Sequence, residues 1–567
     1  MDFVKEIAEM LAKTNAGLTA EEISGMIETP ADTKNGDYAF PCFRLAKTLR
    51  KAPPLIAQDI ASQLEKPDFV SDIQVVNAYI NFYVNKTDTV KSIISQFVEN
   101  GAAMFKSSIG SEKVICIDYS SPNIAKPFHV GHLRSTVIGN SLKNIYTALG
   151  YKVVGINHLG DWGTQFGKLI VAYKLWGDKE AVERDDIKEL SRIYVKFHQE
   201  AENKPELNDE ARSWLVKMQE GDKEALELWQ WFCDISMKEF NRIYDRLGIT
   251  FDSYAGESFY NDKMQAAVEE IREKGLLTTS EGAQIVDLEA YNMPPCLILR
   301  SDGGTLYPTR DISAAIYRKK TYDFYKCLYV TALDQNLHFA QWFKVLELMG
   351  YSWAADSLVH IPFGLVSLGD GKLSTRQGHV VLMEDILNQA VEKALHIIEE
   401  KNPDLADKEK VAEDVGIGAV IFDDMFNTRI KNIVLDLDRM LNFDGETGPY
   451  VQYTHARACS ILKRAQYNGV SSDIDYSLIS DEASIALAKA VGDMGAKVKE
   501  AADKNEPYII SRQLIEICKQ FNRFYNTNNI MQSEDKQKQA RLALVDAAAA
   551  AIRFGLALLG INAPESM

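Results

Sequence analysis

Long apolar runs are missing from this chain of 567 residues. No stretch approaches the roughly 18 consecutive apolar residues that a membrane-spanning helix needs, which excludes such a helix on sequence grounds. The opening "MDFVKEIAEMLAKTN" is an amphipathic helical pattern carrying acids; the basic-then-apolar plan and small-residue cleavage site of a secretion signal are absent. Cysteine is sparse. Seven thiols at 42, 116, 233, 296, 327, 459 and 518 form no CxxC pair. No structural zinc and no other bound metal is therefore expected, and the scattered odd number reads as reduced thiols of a cytoplasmic protein. Positive charge is in deficit too: 63 Lys and Arg against 80 Asp and Glu leave a net charge of −17. That balance argues against a generic nucleic-acid binder, so an RNA partner would be met by local basic surfaces and by shape. Internal repeats and long low-complexity tracts are also lacking; "DAAAAA" at 546–551 lies inside a helical pattern.

What is present is ordinary for a globular protein, with 46% hydrophobic and 25% charged residues. The length exceeds a single core and predicts about three or four domains. The first hundred or so residues mix helical patterns with one strand-like run, "VVNAYINFYV" at 75–84, and "GAAMFKSSIGSE" at 101–112 is a linker of small and polar residues. Next come a buried strand, "KVICID", a helical stretch, "LRSTVIGNSLKNIYTAL", stopped by Gly150 as its C′ residue, and a second strand, "YKVVGINH". This is a βαβ unit and predicts a parallel sheet. From about 175 to about 280 the chain is highly charged and helical, an insertion in the α/β domain. Strand–helix alternation returns at "CLILRSDGGTLYPTRDISAAIYRK", "KCLYVTALDQNLHFAQWFKVLELMG" and "SLVHIPFGLV". After about 380 nearly everything is helix-periodic, an all-α bundle.

Two stretches carry chemistry. "SSPNIAKPFHVGHLRS", 120–135, sets His129 and His132 three apart on one face at the start of a helix that follows a strand. Free amides and the helix dipole favour phosphate there, and imidazole N–H groups can meet the charge that grows as phosphorus is attacked. Gly131 permits close approach of a flat ring or of backbone, and Lys126 adds a point charge. A bare HxxH is more simply a pair of surface histidines; HxGH after a strand and "SSPN" favours the phosphate reading. The second stretch, "GDGKLSTRQG" at 369–378, offers Lys372, Ser374, Thr375 and Arg376 on a glycine-rich loop that can fold over a triphosphate. Alone it is an exposed basic turn. It gains weight by following the last α/β strand, where it can meet the sheet's carboxyl edge.

HVGH resembles the HIGH box of class I aminoacyl-tRNA synthetases and KLSTR resembles their KMSKS loop. Together with "GINHLGDWGTQFG", "LYPTRDISAA", "DQNLHF" and "GPYVQYTHAR" they resemble the arginyl-tRNA synthetases over essentially the whole chain. The resemblance implies a multidomain α/β architecture: a Rossmann-like parallel-sheet catalytic domain with helical insertions, an α+β N-terminal domain and a C-terminal all-α bundle. It implies boundaries at 1–105 for a domain binding the tRNA corner, 106–365 for the catalytic domain with its insertion at about 175–280, 366–410 for the loop and connecting region, and 411–567 for the anticodon-binding bundle. Thr375 stands where the loop usually has its second lysine, a departure common in arginyl enzymes that Lys126 is thought to offset. The implied reaction joins L-arginine to its tRNA through an arginyl-adenylate made from ATP with Mg²⁺ on its phosphates, releasing AMP and pyrophosphate. His129, His132, Lys126, Lys372 and Arg376 would stabilise phosphoryl charge, with Gly131, Ser374 and Thr375 completing the ATP site and adenine lying against Gly131 and the "FGLV" backbone at 363–366. A monomer, and a need for bound tRNA even in the first step, are also implied. A cysteinyl-type synthetase and a catalytically silent tRNA-binding paralogue are the competing readings. The first lacks a Cys/His zinc set here; the second sits poorly with intact HVGH, Lys372 and Asp311.

A guanidinium is a planar cation with five donors, so its pocket needs carboxylates and acceptors in a plane. The resemblance assigns Asp118 and Asp311 to it, Tyr307 as a wall and hydroxyl partner, Asn123 and Gln335 to the α-amino and carboxylate end, and His158 nearby. By themselves Asp118 is a strand-end acid and Asp311 a helix-capping acid. A polar pocket rejects lysine or citrulline by leaving buried acceptors unpaired, so no editing domain is expected. On the RNA side, Tyr450, Tyr453 and Arg457 fall on roughly one helix face and suit flipped-out bases, though tyrosines at that spacing also build cores. Tyr525 and the terminal Met567 match positions near the family's anticodon loop. Tyr79 and Asn81 match positions that read a base at the tRNA corner, within a run that is also a good half-buried strand.

Overall fold

The computed structural model describes residues 3–30, 32–301, 303–368, 381–469 and 474–567. They form two compact units, one from Met1–Met104, Ala458–Asp493 and Glu516–Ala551, the other from Phe105–Arg457, Met494–Ile515 and Ile552–Met567.

In the first unit, strands β1 (Tyr38–Pro41), β2 (Val70–Val76) and β3 (Tyr79–Val84) make an antiparallel sheet in the order β1-β3-β2. The central strand β3 buries Ile80, Phe82 and Val84 against Phe3, Ile7 and Leu11 of helix Phe3–Ala12 and Ile56 and Ile60 of helix Pro53–Ala61. Helix Glu482–Gly492, capped by Asp481 accepting from the Ser484 amide, packs on helix Lys86–Asn100.

The second unit is built on a parallel sheet. In chain order its strands are β4 (Val114–Asp118), β5 (Lys152–Ile156), β6 (Leu277–Ser280), β7 (Ala283–Val286), β8 (Cys296–Leu299), β9 (Lys326–Ala332), β10 (Leu358–Phe363), β11 (Val366–Leu368) and β12 (Ile433–Leu435). The four-stranded sheet runs β10-β9-β4-β5, all parallel. Ile115, Cys116 and Ile117 of β4 are wholly buried, the continuous apolar run of a strand covered on both faces. The chain leaves β4 to one side for β5 and returns on the other side with β9. That reversal puts a crevice beyond the carboxyl ends of β4 and β9, where open α/β sheets bind ligands. Helix Leu133–Ala148 links β4 to β5 and ends before Gly150, whose φ of +85° suits the left-handed C′ position.

The insertion is helical as its charge pattern predicts. Ile187, Leu190, Ile193 and Phe197 form the buried stripe of helix Ile187–Asn203, and Leu207, Ala211, Trp214 and Met218 that of helix Glu206–Glu220. Gly221 at φ +82° ends the latter, and Asp222 caps helix Lys223–Leu247 through the Ala225 amide. After it the antiparallel β6-β7-β8 sheet leads back to the core. In the stretch after 380, expected to be helical nearly throughout, one short strand intervenes among the described residues. β12 pairs in parallel with β11, burying Ile433 and Leu435 and exposing Val434. Three alternating residues are too few for a period-two pattern to stand out from helix-rich flanks.

Candidate active site

The loop leaving β4 is wound against its preferences and then tied down. Ser120 (φ 69°), Ser121 (φ 49°) and Ala125 (φ 59°) all occupy the left-handed region, at a cost of about 1–3 kcal/mol apiece. Hydrogen bonds hold them. The Ser120 amide donates to Ser135 Oγ at 2.9 Å, and the Ser120 hydroxyl shares contacts of 2.8 Å with Thr136 Oγ1 and Tyr244 Oη. The Ser121 amide donates to Asn157 Oδ1 at 3.2 Å, and the Ala125 amide to Ser236 Oγ at 2.9 Å. The result delivers His129 to the turn Val130–His132 that opens helix Leu133–Ala148.

The two imidazoles stand 3.9 Å apart between ring centroids, tilted by 32°. His129 Nδ1 accepts from the Gly131 amide at 3.0 Å and His132 Nδ1 accepts from the His129 amide at 3.2 Å. Each neutral ring must then carry its proton on Nε2 as a donor. Burial and the Lys126 charge lower the His129 pKa. Burial first, then His129 and Lys126, pull His132 down to about 3. Both rings are neutral donors at pH 7, with Lys126 close enough to be felt by each. A Cβ at Gly131 would stand 2.8 Å from His129 ring atoms, so glycine is what lets that ring fold onto the turn.

Lys372, Ser374, Thr375 and Arg376 lie outside the described residues. The chain returns beside the histidines. Val381 accepts from the Val130 amide at 3.2 Å, His129 bridges Leu382, and the Met383 amide donates to Phe128 O at 3.0 Å. The "FGLV" backbone expected behind adenine is already engaged: Gly364 N–H donates to Arg429 O at 2.9 Å and Leu365 N–H to Asn432 Oδ1 at 2.8 Å. What remains open there is the Leu365 side chain, 66% exposed.

The residues that the resemblance assigns to an arginine pocket gather around the ends of β4, β5 and β9. Asp118 closes β4, and its Oδ2 is bound by Arg318 at 2.8 Å while Oδ1 accepts from Ser121 Oγ at 3.0 Å. His158, two residues beyond β5, donates through Nδ1 to Ala255 O at 3.2 Å; burial lowers its pKa, with Asp118, Arg318 and Asp311 all near enough to act on it. Asp311 lies 2.6 Å from His338 Nε2. Asn123 is exposed, and Gly160 leaves room for it, since a Cβ there would overlap the Asn123 amide oxygen. Gln335 is exposed where the turn Leu333–Gln335 leads from β9 into helix Asn336–Leu348. Tyr307, one helical turn before Asp311, lines a cavity of about 620 Å³ with Trp162, Gln165, Glu257, Arg300 and Arg310. Glu257 is paired to Arg310 at 3.1 Å, yet burial, aided by Asp161 and Asp311, pushes it up to about 7. The sequence alone does not mark Arg318, Glu257, Arg310 and His338, nor Arg134. The last is wholly buried and donates to Asp424 at 3.1 Å, Gly364 O at 2.9 Å and Lys431 O at 2.7 Å. "LYPTRD", "IYRK" and "DQNLHF" contain most of these residues, but only the fold shows their partners.

Among the residues matched to RNA contacts, Tyr453 is 40% exposed with Arg457 over its ring at 4.9 Å, and Tyr450 is half-buried on the same helix, Gly448–Arg464. The Met567 carbonyl accepts from Asn402 at 3.1 Å. In the other unit Tyr525 is exposed, and Tyr79 meets the exposed ring of Phe43 edge-on at 5.5 Å. Asn81 is only 3% exposed, paired across β3 with Ala39 and Gln74, so its amide is not offered at the surface. No helix among the described residues is long and apolar enough to cross a membrane.

The family model described as "tRNA synthetases class I (R), catalytic domain" matches residues 92–437, "DALR anticodon binding domain" matches 451–567, and "Arginyl tRNA synthetase N terminal domain" matches 2–84. An arginine–tRNA ligase of Alkaliphilus metalliredigens is 52% identical and one of Halothermothrix orenii 50% identical, each over 100% of both chains. The solved arginyl-tRNA synthetase of Thermus thermophilus superposes with a TM-score of 0.84 at 25% identity, covering 100% of this chain and 99% of its own. That of Plasmodium falciparum shares the fold at a TM-score of 0.82 and 23% identity, covering 100% and 98%. Half of all positions identical from end to end, and a class I (R) model lying over the histidine turn and acid cleft, show that the chain belongs to the arginyl-tRNA synthetases.

Proposed function

We propose the following division of labour for this chain in its family's reaction, the ATP-dependent ligation of L-arginine to tRNA. The arginine carboxylate attacks the α-phosphorus of ATP, giving arginyl-adenylate and pyrophosphate. Magnesium enters with the nucleotide, on its phosphates. His129 and His132 offer neutral Nε2–H donors to the phosphoryl oxygens, Lys126 supplies positive charge beside them, and Lys372, Ser374, Thr375 and Arg376 complete the phosphate site over Gly131. Little covalent work falls to the protein, and preorganised donors supply the acceleration. The guanidinium is taken by Asp311 and the Tyr307 hydroxyl in a cleft that Asp118 and His158 complete; Asn123 and Gln335 meet the α-amino and carboxylate groups. The terminal ribose of tRNA then attacks the adenylate carbonyl and AMP leaves. Tyr450, Tyr453, Arg457, Tyr525 and Met567 serve the anticodon end, and Tyr79 with Phe43, more than the buried Asn81, the tRNA corner. The chain acts as a monomer in the cytoplasm.

One observation carries this reading. A neutral imidazole pair, the segment 381–383 beside it, and a cleft of acids lie beyond the carboxyl ends of the strands of one parallel sheet. ATP–pyrophosphate exchange tests it. Arginine-dependent exchange is expected in the presence of cognate tRNA and little in its absence. Absence of exchange under both conditions, with tRNA still bound, would instead identify a silent tRNA binder.

A further inference from the structure

The carboxylates of the cleft are not equivalent. Asp118 is neutralised by Arg318 at 2.8 Å, and Glu257 by Arg310 at 3.1 Å. Asp161 accepts the Ser258 amide at 2.8 Å and its hydroxyl at 2.6 Å. Among the described residues Asp311 is paired with no lysine or arginine and has few donors. Its one protein partner among the described residues is His338, whose Nε2 lies 2.6 Å from Oδ2; Oδ1 has none. The two side chains are 27% and 24% exposed, so the pair is open to the cleft.

A guanidinium-binding carboxylate needs two things that conflict. It must be held still, and it must keep its negative charge for the substrate. An arginine partner fixes a carboxylate but cancels it. A neutral imidazole donating one N–H fixes it and leaves the charge in place. The His338 ring is itself clamped: it meets Phe339 edge-on at 5.5 Å, and Phe339 stacks on His360 of β10 at 4.4 Å and 10°.

We propose that His338 is a positioning residue for the arginine substrate. Its imidazole, which unlike a guanidinium carries no permanent charge, donates to Asp311 Oδ2 and turns Oδ1 toward the incoming guanidinium, while Asp118, already balanced by Arg318, shapes the cleft without supplying the compensating charge. This rests on the reading of Asp311 as the guanidinium's partner. Selection against a neutral side chain of the same shape follows, because such a substrate leaves the Asp311 charge unmet.

Three substitutions at one position test it in aminoacylation kinetics with the full chain. His338→Ala frees Asp311 and is expected to raise the arginine KM about tenfold, the worth of one hydrogen bond to a charged group, with the ATP KM unchanged. His338→Gln puts an uncharged donor near the Nε2 position and should recover most of that loss. His338→Lys puts a permanent cation on Asp311 and should raise the arginine KM beyond alanine. An unchanged arginine KM in His338→Ala overturns the proposal, as does a glutamine variant that melts like wild type yet binds arginine no better than alanine. A lysine variant as good as glutamine overturns it too. Should alanine prove unstable, glutamine against lysine decides, since both fill the site. Asp311→Asn separates the levels. If it leaves the arginine KM unchanged, the assignment of Asp311 itself fails; if it raises that KM while His338→Ala does not, only the positioning role fails.

Discussion

His132 gives up its charge because of where it sits. Phe128 covers it at 5.0 Å, and His129 and Lys126 add positive charge beside it. In the proposed role, neutrality makes its Nε2–H a donor that costs no reorganisation when phosphoryl charge develops. His132→Ala is therefore expected to lower the exchange kcat about 10²–10³-fold, the usual loss for one such donor, with tRNA affinity retained; equal losses of both would mean a folding role. Gly131→Ala should act on the same donors by another route, since the new Cβ would displace the His129 ring; exchange should fall while the melting temperature stays near wild type. Stability against pH gives an independent check. The His132 pKa is depressed on folding, so the unfolded chain takes up this proton first as pH falls. The contribution is present above the ordinary histidine range, is lost between that range and about 3, and changes no further below. Glu257, pushed up to about 7, works in the opposite sense, gaining stability as pH falls through that value. The measurement is accordingly a difference: from pH 7 to pH 5, wild type should lose melting temperature more steeply than His132→Asn. At this scale the sequence was readable wherever partners are neighbours. His129, Gly131 and His132 sit in one turn, so their place at the start of a helix is legible in the sequence. His338 lies within "DQNLHF" but nothing local marks it, because its partner Asp311 lies on another helix and only packing brings them together.

Helix Leu133–Ala148 has to be fixed as a whole if its first turn is to aim two imidazoles. Arg134 does this from the inside. Its guanidinium joins the helix to Asp424 on helix Lys408–Met425, to Gly364 after β10 and to Lys431 before β12. The pair is fully buried, and burial pushes Asp424 up to about 6 despite the arginine. Among the described residues Arg134 Nη2 and Asp424 Oδ2 find no hydrogen-bond partner. Desolvation thus takes back much of the attraction, and the pair serves position more than net stability. Breaking it from one side is another matter. Arg134→Met, which strands the Asp424 charge, should cost about 3–5 kcal/mol in denaturant unfolding, and adding Asp424→Leu should return most of that. If the double variant is as stable as wild type but its exchange rate stays low, the pair's role is to hold the histidine turn. The βαβ unit that this helix completes was visible in the alternation of strand and helix patterns. The Arg134 pairing was not, because 290 residues separate the two partners and no local pattern marks them. The short β12 escaped for a different reason, being too brief to show a period.

At the scale of the molecule, a net charge of −17 has to be reconciled with an RNA partner. A bulk field of that sign repels a polyanion, so affinity must come from local faces. Helix Gly448–Arg464 carries the face proposed for that role. One side is consumed by the chain's own end: Gln452 donates to Asn562 O at 2.9 Å and Asp414 O at 3.0 Å, and His455 donates to Pro564 O at 2.9 Å. Arg553 pairs with Glu565 at 2.8 Å, and Asn402 donates to the Met567 carbonyl at 3.1 Å. The opposite side presents Tyr453 under Arg457, a stacking platform with a cation attached. The periodicity of "GPYVQYTHAR" exposed the aromatic stripe to sequence reading, but not that "INAPESM" is the strap behind it, nor that Tyr525 belongs with residues 1–104 in a different compact unit. Tyr453→Ala and removal of residues 561–567 should then part company. The first loses one stacking platform and should weaken tRNA binding by about 1–3 kcal/mol, raising the tRNA KM while the arginine and ATP KM values and the melting temperature hold. The second strips buried acceptors from Gln452 and His455, each worth about 1 kcal/mol or more when left unmet. It should lower the melting temperature first and tRNA affinity only as a consequence. Equal destabilisation by both changes would make Tyr453 a core residue and remove this face from the RNA account.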